Sequence, residues 1–241
     1  MAELSYLPRQ RQLQELVRRL GLEKVGAERI HWELLDLALV HSTASPTENY
    51  EQLEFVGDAV IRMTVAEYLF ENHRDLSVGE YSALRAMLVS DRTLAQWASR
   101  YNLDRYLVIA ESARKDENAR ESLLAESFEA MLGALYLSTH TLELVRPWLD
   151  QHLAEQIATI RSDPALQNYK AALQEWTQAH YKALPEYRVQ EVGAAMASDR
   201  FAAEVWFMDQ RLGSGTGRSI KAAEQAAAQM AFLAIQANQQ A

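Results

Sequence analysis

Asn49–Arg62 reads N-Y-E-Q-L-E-F-V-G-D-A-V-I-R. Its acids, Glu51, Glu54 and Asp58, fall at i, i+3 and i+7, which on a helix places all three on one face, about one turn apart. Leu53, Phe55, Val56, Ala59, Val60 and Ile61 surround them, so the spacing predicts a helix lying in a core rather than in solvent. A buried carboxylate must be paired, protonated or bound to a cation. The run contains no lysine and its only arginine stands at the far end, so the acids read as unpaired and as half of a metal site.

Leu123–Leu137, L-L-A-E-S-F-E-A-M-L-G-A-L-Y-L, supplies the other half, with Glu126 and Glu129 at i, i+3 and no basic residue. Two such helices face to face gather four or five carboxylates, the all-oxygen environment that magnesium or manganese prefers. A lone acid in an apolar run more often caps a helix or pairs with an arginine. Two clusters in two apolar runs reverse that preference.

These segments also carry a family resemblance. Asn49–Ile61 resembles the signature of the ribonuclease III family, and E-S-L-L-A-E-S-F-E-A-M-L-G-A-L-Y-L (Glu121–Leu137) resembles that family's second acidic motif. A-L-V-H-S-T-A-S (Ala38–Ser45) and L-R-A-M-L-V-S (Leu84–Ser90) match it as well, so the motifs cover most of residues 30–140.

Composition bounds what the rest of the chain can be. The 241 residues have room for one large or two modest domains, and five tryptophans leave apolar mass for real cores. Without cysteine there are no disulfides and no thiolate metal sites, which suits a reducing, cytoplasmic setting. Met1–Gln14 has no apolar segment of the kind a signal peptide needs, and acids interrupt the longest apolar runs, so no membrane span is expected. The net charge of −9 argues against generic electrostatic binding of nucleic acid. Its distribution matters more: residues 1–161 hold 17 Lys+Arg and 25 Asp+Glu, residues 162–241 hold 7 and 8. The acid excess sits where cations would locally invert the field.

Taken in order, residues 9–20 have helical apolar spacing with Gly21 as a stop, and His31–His41 reads as a further helix. His41 reads as a structural histidine holding the S-T-A-S-P loop rather than as a metal ligand. Asn49 is a candidate N-cap for the signature helix, expected to run to about Phe70. Ser77 with Glu80 forms a capping-box pattern ahead of a helix carrying Leu84, Met87 and Leu88 inward. A helix from Asp91 or Arg92 to about Tyr101 follows. Glu111–Arg120, with Arg114, Lys115 and Arg120, reads as an exposed polar loop. A last amphipathic helix from about Leu142 to Ile160 tolerates Pro147 near its first turn. Residues 1–160 are therefore expected to be all-helical.

Residues 161–167, beginning Arg161-Ser162-Asp163-Pro164, read as a linker, and composition changes after them. Within 168–241, Tyr169–His180 reads as helix, Tyr187–Val192 and Phe201–Phe207 as strands, the stretch after Asp209 as a short third strand, and Ser219–Ala237 as an alanine-rich helix. The order α-β-β-β-α resembles the double-stranded-RNA-binding domain, as do N-Y-K-A-A-L-Q-E-W (Asn168–Trp176) and A-E-Q-A-A-A (Ala223–Ala228). Such domains read duplex shape across minor grooves and phosphates. The expected class is thus α+β overall, an all-α nuclease domain followed by a small α-β-β-β-α domain. Gly213-Ser214-Gly215-Thr216-Gly217 lacks the ending of a Walker loop, and ahead of a helix it reads as a loop aiming amides and Lys221 at RNA phosphates.

What the resemblance implies is hydrolysis of double-stranded RNA, leaving staggered ends with 5′-phosphates, in a homodimer whose two sites each cut one strand. It implies Mg2+ as the cofactor, with Mn2+ as a substitute, and substrates among precursor rRNAs and structured mRNAs. By motif position Glu54, Asp58 and Glu129 are metal ligands, and Glu51 is an acid assisting at the metal or contacting RNA. Asp58, Glu129 and Glu51 are accordingly the catalytic candidates. Glu126 stands where the family usually has aspartate, one C–C bond shorter, ~1.5 Å, and is expected to ligate all the same. Gln174, Glu175, Arg218 and Lys221 are the implied RNA-binding residues. Two departures predict weak RNA binding by this domain alone: Ile220 replaces the first of two adjacent basic residues, and Ala197-Ser198-Asp199-Arg200 lacks the usual histidine. The alternative is a double-stranded-RNA-binding protein that does not cleave and has a structural role. A phosphohydrolase of small nucleotides lacks a His-Asp doublet here, and an acidic scaffold leaves the two acid clusters unexplained.

Overall fold

The computed structural model describes residues 3–116, 119–162, 168–194 and 197–239. Most of the predicted linker, residues 163–167, lies outside the described residues. The chain divides into two compact units, Met1–Thr159 and Ile160–Ala241.

In the first unit the helices are α1 (Glu3–Arg19), α2 (Trp32–Leu37), α3 (Glu51–Asn72), α4 (Val78–Leu88), α5 (Asp91–Arg100), α6 (Glu111–Arg114), α7 (Arg120–Thr139) and α8 (Arg146–Arg161). The signature helix α3 packs along α7, the helix of the second acidic motif. Two glycines let the helices come this close. A Cβ on Gly57 would overlap the backbone carbonyl of Glu129, and one on Gly133 the carbonyl of Leu53. On its other flank α7 packs against α5. There Phe128 sits between Trp97 and Trp148, at ring centroid distances of 6.1 and 5.8 Å.

Local chemistry fixes several boundaries. Gly21, in the left-handed region at φ 72°, follows α1. Ser77 and Glu80 form the predicted capping box, and the Ser90 hydroxyl accepts from the Thr93 amide to start α5. Several expectations need correction. The first helix begins at Glu3 rather than at residue 9, and the last of this unit at Arg146 rather than at Leu142. The helix expected over His31–His41 is only Trp32–Leu37, because the following backbone turns away to bridge to Val108: Val108 N–H donates to Leu39 O and His41 N–H to Val108 O. Asn49 lies one residue outside the N-cap position, which Tyr50 fills, although the Asn49 side chain still accepts from the Glu51 amide at 3.0 Å. Within the polar stretch 111–120 there is a short helix, α6, and Arg114 is anchored to the Leu107 carbonyl at 2.9 Å.

The second unit is α9 (Tyr169–Tyr181), β1 (Glu186–Glu191), β2 (Phe201–Phe207), β3 (Gln210–Gly217) and α10 (Ile220–Gln239). The strands form an antiparallel meander in the order β1-β2-β3. Tyr169 and Leu173 of α9, Ala203 and Val205 of β2, and Ala223, Ala227, Ala228, Ala231 and Phe232 of α10 make its core. The stretch Gly213–Gly217 is not a loop: it is the body of β3, paired with Phe201–Val205. The alternate glycines face α10 so closely that a Cβ on Gly213 or Gly215 would meet Ala227 O or the Ala226 Cβ, each at 2.5 Å. Glycine on the strand and alanine on the helix together set that approach.

Candidate active site

The α3–α7 crossing opens on one side into a cleft lined by His41, Ser42, Tyr50, Glu51, Glu54, Phe55, Asp58, Glu126 and Glu129. All five predicted acids therefore line one cleft, with Glu51, Glu54 and Asp58 on α3 and Glu126 and Glu129 on α7. Helical periodicity puts each set on one face, and the Gly57 and Gly133 contacts bring the faces together. Glu54, Asp58, Glu126 and Glu129 are half-buried, and Glu51 stands exposed at the rim.

The electrostatics are those of crowded like charges. Burial, with the nearby charges of Asp58, Glu54 and Asp91, pushes the Glu129 carboxyl up to about 7, only partly offset by Arg62. Burial, together with Glu126, Glu51 and Asp58, raises Glu54 as well. The Tyr50 phenol rises well above its ordinary value through burial and its hydrogen bond to Glu126, so it stays a donor.

Two of the acids are partnered, which corrects the expectation of an unpaired cluster. Arg62, one turn along α3, donates to both oxygens of Asp58 at 2.8 and 2.9 Å. The Tyr50 hydroxyl donates to Glu126 at 2.6 Å. With Asp58 drawn toward Arg62 and Glu126 toward Tyr50, the acids share the cleft without closing into a ready cage: among the described residues no three ligating side chains converge on one point. The donor set nevertheless fits a hard divalent cation, being all carboxylate oxygen, and the raised Glu129 and Glu54 carboxyls mark a charge that a cation would relieve.

Phe55 departs from the expected core position: it is 83 % exposed beside the acids. Tyr50 and Arg62 were not singled out from the sequence. Arg62 was visible as the i+4 neighbour of Asp58. Tyr50 gave no helical-spacing signal, because it stands just ahead of α3.

In the second unit Gln174 and Glu175 are exposed on α9, and Arg218 and Lys221 are exposed before and within the first turn of α10. Lys170 of α9 pairs with Glu224 of α10 at 2.7 Å. Gln174 lies one turn beyond that pair on α9, and Lys221 one turn before it on α10.

Comparison with known proteins shows what each unit is similar to. A family described as "Ribonuclease III domain" matches residues 51–140, and a "Double-stranded RNA binding motif" matches residues 169–235. A Nostoc protein named ribonuclease 3 2 is 60 % identical over 233 residues, 96 % of each chain. A Synechocystis protein of the same name is 57 % identical over 231 residues, 95 % of this chain and 94 % of its own. Among solved structures, the nuclease domain of ribonuclease III from Campylobacter jejuni superposes with a TM-score of 0.52 at 28 % identity, covering 59 % of this chain and 94 % of that one.

Proposed function

The chain belongs to the ribonuclease III family, and from that premise we propose that its acid-lined cleft hydrolyses the phosphodiester backbone of double-stranded RNA with Mg2+, or Mn2+ in its place, leaving staggered ends that carry 5′-phosphates. The observation that supports this most is the gathering of Glu54, Asp58, Glu126 and Glu129 from two helices into one cleft. Those four would hold the cation. When bound, the metal supplies a water activated for attack and charge stabilisation for the phosphate and the leaving oxygen.

The remaining work falls to the protein. The Glu129 carboxyl is pushed up to about 7, so a bound cation would favour its charged form and the release of its proton to solvent. Asp58 is held in place by the Arg62 fork, and the arginine offsets part of the negative field. Glu51, exposed at the rim, is placed to meet the RNA backbone or assist at the cation. The RNA-binding unit contributes affinity: Arg218 and Lys221 meet phosphates, while Gln174 and Glu175 face the groove from α9.

We take the active species to be a homodimer in the cytoplasm, each copy cutting one strand, in the maturation of rRNA and structured mRNA. An exposed phenylalanine beside the cleft, Phe55, supports association there. The test is the chemistry of the ends. Products of a long duplex should ligate directly through 5′-phosphates and show a constant stagger. Blunt ends or 5′-hydroxyls would exclude this mechanism.

A further inference from the structure

Tyr50 is 2 % exposed, yet its polar end reaches the cleft. Its ring belongs to a small core with Ala38, Leu53, Ala130 and Ala134, its amide donates to Val40 O at 2.9 Å, and the His41 ring meets it edge-on at 5.4 Å. A phenol held this firmly is a fixed donor. The carboxylate it meets is the one whose side chain is longer than the family norm, and Glu126 accepts through Oε2 at 2.6 Å. An unrestrained glutamate has three rotatable bonds, and the like charges of Glu54, Glu51 and Asp58 favour swinging it away from the cleft.

We infer that the Tyr50 hydroxyl is a positioning group for the cation site, tying back one oxygen of the long Glu126 side chain so that the other faces the cleft. The inference rests on Glu126 being a ligand, as proposed above. Carboxylate ligands are themselves oriented by hydrogen-bonding partners, and removing such a partner typically weakens metal binding by about 10–100-fold. A hydroxyl that merely satisfied the polar end of a core ring would affect stability equally with and without metal.

The test is cation binding by the full chain without RNA, followed by Mn2+ electron paramagnetic resonance and by Mg2+ calorimetry. Wild type, Tyr50→Phe, Glu126→Asp and the double variant are compared. Tyr50→Phe should weaken binding about tenfold or more. Glu126→Asp should weaken it to a similar degree, because its carboxylate retracts by ~1.5 Å from the hydroxyl. The double variant should lose no more than either single one. Unchanged or tighter binding in Tyr50→Phe overturns the inference, as does a tyrosine effect that persists in the aspartate background. If Tyr50→Phe does not fold, Glu126→Asp decides alone, and wild-type affinity in it overturns the inference. A wild-type chain that binds neither cation would instead remove the metal-site reading itself.

Discussion

Glu129 stands half-buried among Asp58, Glu54 and Asp91, and its carboxyl titrates near 7 instead of the ordinary 4.5. In EDTA the folded chain therefore binds a proton at Glu129 between pH 4.5 and 7 that the unfolded chain has lost, so stability falls as pH rises through that window. Full linkage would be about 3 kcal/mol, and solvent screening at a half-exposed group brings the expectation to about 1–2 kcal/mol. Glu129→Gln should flatten this slope and be the more stable protein at pH 8 without metal, as thermal melts across pH would show. Saturating Mg2+ should reverse the order, stabilising wild type alone. At this scale the sequence was a good guide to which acids share the cleft and a poor one to their partners. Residue spacing identifies a shared face, but not which side chain bends toward which. Arg62 lies one turn from Asp58 and reaches it, while Phe55, apolar and in the middle of the signature, is left in solvent.

At the scale of elements, the site depends on how closely α3 and α7 approach. A methyl at Gly57 meets backbone rather than a movable side chain, so the helices must separate. Gly57→Ala should cost at least about 2–3 kcal/mol and weaken cation binding by spreading the two acid faces, readable from urea midpoints and calorimetry. Gly215→Ala should destabilise the second unit in the same way, through Ala226 and Ala227, and leave cation binding intact. Ser77→Ala removes the side-chain half of the capping box, the acceptor for the Glu80 amide, while the residue 77 N–H still donates to Glu80, and should cost about 1 kcal/mol without touching the site. The starts of α4 and α5 and the α-β-β-β-α order were legible because caps and periodicity are local, whereas the starts of α1 and α8, which carry no such cap signal, were not. The glycines were not: a glycine repeat ahead of a helix looks like a phosphate loop until tertiary structure shows an alanine-rich helix lying on it. The shortening of the helix at Trp32–Leu37 is of the same kind, since its cause is Val108, far along the chain.

Across the whole molecule, the charge of −9 is concentrated in residues 1–161, which carry the cleft, and residues 162–241 are nearly neutral. Arg218→Ala and Lys221→Ala should weaken duplex binding whatever the sequence, each reducing the slope of log K against log salt by about 1. Turnover at saturating RNA should be unchanged. The family was legible through the resemblance of the two acidic motifs and of the second unit's ends, whereas the cost of carboxylates in apolar helices points only to a paired, protonated or cation-binding cluster. The measurement that bears most directly on the account is cleavage of a long RNA duplex, with a single strand as control, by wild type and Glu129→Gln in Mg2+, Mn2+ or EDTA. Wild type should cut the duplex alone and only with metal, and the variant should bind without cutting. Cutting in EDTA, cutting by Glu129→Gln at the wild-type rate, or binding without cleavage by wild type in either metal would contradict it.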